Sequence, residues 1–229
     1  MQHLLLLHGA IGASDQLQPL AHLLEENYKV HTLNFSGHGG SELPAEPFSI
    51  KQFASDVIHF LDEERIEKVQ LFGYSMGGYV GMYLAKNFPE RVSKVATLAT
   101  KFYWDSATAA KEVQMLNAEK IETKLPAFAE VLNQRHAPND WKDVLQKTVG
   151  MLEELGRNNT LKSEDYTTIQ TPVLVLLGDR DKMVTLEETM NVYKALPNAQ
   201  MGILPKTHHP IEQTNIEALA FLLKQFLNS

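Results

Sequence analysis

The chain has 229 residues, 44% hydrophobic and 21% charged, with a net charge of −7 and no cysteine. That size buries a core without staples and allows one large domain, or a domain with an insertion; the missing cysteine excludes disulfides, thiolate nucleophiles and cysteine-held zinc. The acidic balance argues against a nucleic-acid partner, which calls for a basic patch, and no run approaches the ~18 apolar residues of a spanning helix, so the expectation is a cytoplasmic protein with no membrane partner.

In chain order, the first predicted strand covers 4–7 and stops at His8-Gly9; no basic flank or cleavage site accompanies its four leucines, so it does not read as a leader. A helix over 15–26 puts Leu17, Leu20, Leu23 and Leu24 on one face. The second strand, 29–35, ends at Ser36-Gly37. A helix over 50–64 follows Ser49, a capping residue, and aligns Phe53, Val57, Phe60 and Leu61. The third strand, 68–72, meets Gly73, and a helix over 76–87 follows Ser75. The fourth strand covers 94–99. From 101 to 170 the pattern turns helical, with helices expected at 107–118, 125–134 and from Trp141 to Leu155. Alternation then resumes: strand 172–177, helix 186–195, a weaker strand 199–204, and helix 212–227. Six short apolar strands alternating with helices predict an α/β fold, a parallel sheet covered on both faces. The expected organisation is a core of 1–100 and 171–229 with a helical cap, 101–170, over the carboxyl edge of the sheet.

The strongest chemical signal is Gly73-Tyr74-Ser75-Met76-Gly77-Gly78, set between a strand and a helix. Such a turn thrusts a serine out at the top of the sheet, beside backbone N–H groups of the helix start. A serine hydroxyl is a weak nucleophile and needs a base, itself oriented by an acid. Ligands of parallel sheets lie beyond the carboxyl ends of strands. Later post-strand loops supply Asp179 and Asp181 after the fifth strand, then His208 and His209 after the sixth.

With these motifs in view, the sequence resembles the α/β-hydrolase fold family. The resemblance runs over nearly the whole chain. It rests on His8-Gly9, on Gly37-His38-Gly39-Gly40-Ser41, on the serine turn, on Gly178-x-x-Asp181 and on His208-x-Pro210. It implies Ser75 as nucleophile, His208 as general base and Asp181 as the orienting acid. It also implies an oxyanion hole from the backbone N–H groups of Ala10 and Met76. His208 is preferred to His209 because Pro210 then falls two residues later, as the family pattern has it. The sequence departs from that pattern in three ways: it begins at the His-Gly strand, without the two strands that commonly precede it; Thr207 replaces the glycine before the histidine; and Thr185 stands where a proline often follows the acid loop.

Asp179 reads as a turn residue beside Arg180, and His8 and His38 as organisers of their loops. His3, His22, His31, His59 and His136 have no constellation around them. A metal site built from Asp179, Asp181, His208 and His209 would leave the serine turn unexplained, so no metal and no cofactor is expected. Tyr74 flanks the nucleophile, and Phe102-Tyr103-Trp104 stands at the door of the site; these are the candidate pocket residues, with Met115, Met151 and Met183 as further apolar lining. The expected activity is hydrolysis of a small carboxylic ester through an acyl-enzyme, with a small molecule as the partner. Two other classes fit the resemblance: a lyase or C–C-bond enzyme using the same residues, and a non-catalytic receptor for a small ligand. Oligomeric state is left open.

Overall fold

A computed structural model describes residues 1–229. Six strands, β1 (His3–Leu7), β2 (Lys29–Leu33), β3 (Val69–Tyr74), β4 (Val92–Leu98), β5 (Val173–Gly178) and β6 (Ala199–Leu204), make one sheet. Their order is β2-β1-β3-β4-β5-β6, and every neighbouring pair is parallel. Because side chains alternate along a strand, each central strand feeds two cores. Leu5, Leu7, Leu71, Val95 and Val175 face α2 (Ile50–Glu63) and α3 (Met76–Asn87). Leu4, Leu6, Phe72, Ala96 and Leu176 face α1 (Gln18–Leu24) and α10 (Ile216–Leu227). This two-sided burial is why residues 4–7 of β1 and 173–177 of β5 read as unbroken apolar runs. The strand order reverses between β1 and β3, which opens a crevice beyond their carboxyl ends.

Between β4 and β5 lie five helices and no strand: α4 (Ser106–Val113), α5 (Ala118–Lys124), α6 (Pro126–His136), α7 (Trp141–Arg157) and α8 (Ser163–Tyr166). Val144, Met151, Leu152 and Leu155 of α7 join the main core, while Ile121, Leu132, Trp141 and Leu145 form a small core of their own. The remaining helix, α9 (Leu186–Ala195), links β5 to β6.

Several boundaries differ from the sequence expectation, each for a local reason. The helix expected at 107–118 is two, because Asn117 starts α5 by accepting a hydrogen bond from the Lys120 N–H. The helix expected at 15–26 opens as a 3₁₀ turn, Ser14–Leu17, and becomes α-helical at Gln18-Pro19, where a missing proline N–H costs nothing. α10 begins only at Ile216, where Asn215 caps it. β2 stops at Leu33 because Asn34 turns away to bind the Ser14 N–H and the Gly39 carbonyl.

Candidate active site

Ser75 sits at the end of β3 and the start of α3 with φ 51° and ψ −116°, a left-handed conformation that a side chain rarely adopts. Its neighbours hold it there. The Ser75 N–H donates to the Leu98 carbonyl at 2.8 Å, and Thr100 Oγ1 donates to the Ser75 carbonyl at 3.1 Å. The flanking glycines are required by close approach. A Cβ on Gly73 would lie 2.4 Å from the Gly77 backbone, and one on Gly77 2.4 Å from the Leu7 carbonyl oxygen. The Ser75 side chain makes no capping hydrogen bond to α3 and is therefore free for other use.

Ser75 Oγ lies 3.3 Å from His209 Nε2, and His209 Nδ1 lies 2.9 Å from Asp181 Oδ2. The Asp181 side chain is fully buried and that of His209 is 13% exposed. Asp181 Oδ1 accepts from the Met183 and Val184 N–H groups at 2.7 and 2.9 Å. Burial alone would raise the Asp181 pKa; the hydrogen bond and charge of His209 and the two backbone donors outweigh it and hold the carboxyl below its ordinary value. An ionised carboxylate only accepts, so Nδ1 carries the imidazole proton and Nε2 is left to accept from the serine hydroxyl.

The histidine in this array is His209, and the expectation of His208 is corrected. β6 ends at Leu204, as expected, but Lys206 then takes a left-handed φ of 53°. Thr207 is buried and clamped to the acid loop: its N–H donates to Asp179 Oδ1 at 3.1 Å, and its carbonyl accepts from the Arg180 N–H at 3.0 Å. That clamp leaves His208 exposed and turns His209 inward. Pro210 therefore follows the inward histidine directly, and the family spacing misplaced it by one. Asp179, expected as a turn residue beside Arg180, instead ties the acid loop to Thr207.

Ala10 and Met76 line one cavity with Ser75. Met76 is the first residue of α3, so its N–H has no acceptor within the helix. The loop carrying Ala10 is fixed by histidines. His8 is fully buried; its Nδ1 bonds the Gly9 carbonyl at 2.8 Å and its Nε2 accepts from the Phe35 N–H at 3.2 Å. Burial drives its pKa down to about 4, against an opposing hydrogen bond, so the ring is neutral. His38, also buried and also held well below its ordinary pKa by burial, bonds the Ser36 carbonyl at 3.1 Å.

Sequence reasoning missed His136. At the end of α6, its Nε2 bonds the Ile11 carbonyl at 3.1 Å and its Nδ1 accepts from the Gly39 N–H at 3.2 Å. One neutral imidazole thus ties the inserted helices to the loops after β1 and β2. Its partners are 97 and 125 residues away, so no local pattern betrays it.

The Ser75 cavity holds about 340 Å³ and is mostly apolar. Tyr74 and Trp104 line it, as do Met115, Met151 and Met183. Phe102 and Tyr103 do not, which corrects their placement in the pocket. Phe102 is buried edge-on against Tyr166, Tyr103 is 56% exposed, and both backbone N–H groups are drawn to Glu188 Oε1 at 2.6 and 2.8 Å. They border a second, larger cavity of about 460 Å³ that does not reach Ser75. Arg135, Gln16 and Glu212 add a polar patch to the first cavity; Arg135 pairs with Glu212 at 3.8 Å, and Gln16 Nε2 donates to Glu212 Oε1 at 2.6 Å.

Residues 2–167 match the family model described as the alpha/beta hydrolase fold. Among characterised proteins, the chain is 26% identical to a pimeloyl-[acyl-carrier protein] methyl ester esterase of Vibrio campbellii, over 97% of this chain and 93% of that one. It is 26% identical to a 3-oxoadipate enol-lactonase of Acinetobacter baylyi, over 80% of this chain and 73% of that one. Among solved structures, a thermophilic esterase from Thermogutta terrifontis superposes with a TM-score of 0.80 at 20% identity, over 100% of this chain and 90% of that one, a likeness of fold.

Proposed function

The chain belongs to the alpha/beta hydrolase fold family, and from that premise we propose that it is a serine hydrolase of carboxylic esters, with residues 101–170 acting as the cap that shapes its pocket. The observation that carries this reading is the relay from Ser75 Oγ through His209 to buried Asp181, at 3.3 and 2.9 Å. Ser75 Oγ attacks the ester carbonyl as His209 Nε2 takes the hydroxyl proton. Asp181 stabilises the imidazolium and fixes its tautomer. The tetrahedral oxyanion accepts hydrogen bonds from the N–H groups of Met76 and Ala10. His209 then returns the proton to the leaving alcohol. Water, deprotonated by the same nitrogen, releases the acid and restores the serine.

The largely apolar cavity suits a small or medium acyl chain. The test is turnover of a small aryl ester by Ser75→Ala. A loss of roughly 10³-fold or more with an unchanged circular dichroism spectrum is expected. Retention of more than a few per cent of activity contradicts the mechanism.

A further inference from the structure

In the sheet, β4 lies between β3, which delivers Ser75, and β5, which delivers Asp181. Its carboxyl end therefore stands between the nucleophile and the acid. The chain leaves β4 through Ala99 at a φ of 55°, a region that side chains rarely adopt. The next two residues each hold one neighbour. Thr100 Oγ1 donates to the Ser75 carbonyl at 3.1 Å, and Lys101 Nζ donates to the Met183 carbonyl at 2.5 Å. That carbonyl belongs to the same peptide group as the Val184 N–H, which donates to Asp181 Oδ1 at 2.9 Å. Ammonium, peptide and carboxylate form one chain, in which a cation drawing on the carbonyl oxygen makes the N–H a better donor. Lys101 is gripped in turn from the inserted helices. Glu112 of α4 lies 3.4 Å from Nζ, and the two side chains are only 13% and 5% exposed. Stability gives little reason to keep such a pair, because desolvating both ions offsets much of their attraction.

We propose that Lys101, anchored by Glu112, is a positioning residue that holds the Asp181 loop in register for His209. The inference rests on the ester-hydrolase reading of Ser75. Lysine suits the task, since its ammonium has three donors and can serve a carbonyl and a carboxylate together. Asp181 Oδ1 takes two backbone donors, the Met183 and Val184 N–H groups, and these fix the plane of the carboxylate. Without Lys101 the Met183–Val184 peptide is free to turn, and one of the two donors swings away. Oδ2 then no longer aims at His209 Nδ1, which it meets at 2.9 Å. A misplacement of about 1 Å in such an array costs up to roughly 10²-fold in rate.

The test uses two variants. Lys101→Met keeps the length of the side chain and removes its charge and donors, leaving Glu112 buried and unpaired. Lys101→Met/Glu112→Gln removes that stranded charge as well, and so carries the test if the single variant does not fold. In both, kcat on a small aryl ester is expected to fall about 10- to 100-fold, with KM changed far less. The low-field proton NMR resonance of the His209 Nδ1–H, assigned by its absence from His209→Ala and recorded without substrate, should shift upfield or be lost to exchange. The single variant should also lose thermal stability, and the double variant should regain it without regaining kcat. Recovery of kcat together with stability would show that Lys101 only neutralises Glu112, and overturns the proposal. A change in KM alone, with the resonance unmoved, would make Lys101 a wall of the cavity and overturns it too, leaving ester hydrolysis standing. The resonance needs no turnover. If the parent protein hydrolyses no ester yet shows the resonance, and Lys101→Met loses it, the hydrolase reading falls and the positioning role stands.

Discussion

Thr207 decides which of two adjacent histidines meets the serine. Its N–H and carbonyl are both held by the acid loop, and the left-handed turn at Lys206 sets the phase in which the chain leaves β6. His209→Ala should therefore abolish ester turnover about as completely as Ser75→Ala, by roughly 10³-fold or more. His208→Ala, changing an exposed side chain, should stay within a few-fold of the parent; steady-state kinetics on one aryl ester compares the three. Asp181→Asn should cost about 10⁴-fold, because the amide offers no anion to fix the Nδ1–H tautomer. Much at this scale was legible. Ser75 followed from its strand-turn-helix setting, and Asp181 from its distance beyond Gly178. The histidine was not, because its choice depends on a single backbone torsion and a cross-loop clamp that no residue spacing encodes.

The loops after β1 and β2 and the end of α6 meet at three buried imidazoles. The ring centroids of His8 and His38 lie 5.2 Å apart, and those of His38 and His136 lie 5.7 Å apart. All three are held below the ordinary histidine pKa, chiefly by burial, with Arg135 disfavouring and Asp15 favouring charge on His8 and His136. In the unfolded chain they titrate near 6.5, so on acidification the unfolded state binds protons first and stability falls. For His8 the window runs from about pH 6.5 down to about pH 4, worth roughly 3 kcal/mol when complete. Denaturant midpoints measured across that window should fall with decreasing pH, and less steeply in His8→Asn; equal slopes would contradict the assignment. His136→Phe should lower kcat more than it raises KM, because the ring supports the loop that carries Ala10 and does not line the cavity. A pure KM effect would show that the loop keeps its place without it. The helices themselves were legible as amphipathic periods. The Asn117 cap that divides α4 from α5, and the long-range bonds of His136, were not, because helical periodicity reports a buried face and not its partners.

At the scale of the whole molecule, the alternation of apolar strands and helices was enough to foresee six parallel strands covered on both faces. That alternation is a direct imprint of two-sided burial. The strand order, with its reversal between β1 and β3, places the ends of these two strands side by side, so Ala10 and Ser75 share one crevice. The helical insertion leaves after β4 and returns before β5, and its α4 and α7 supply Glu112, Met151, Leu152 and Leu155 to the same cavity. Part of the lining was legible, since Trp104, Met115 and Met151 enter the cavity as expected; the displacement of Phe102 and Tyr103 was not, because it depends on the distant Glu188 carboxylate that binds their N–H groups. The central claim, that sheet and insertion together assemble a serine nucleophile, is tested most directly by acid-quenching the protein within milliseconds of mixing with an aryl butanoate and mapping the adduct by mass spectrometry. The account predicts a butanoyl group on the Ser75 peptide, absent in Ser75→Ala and forming far more slowly in His209→Ala. Rapid ester turnover with no acyl group on Ser75 at any quench time would contradict it.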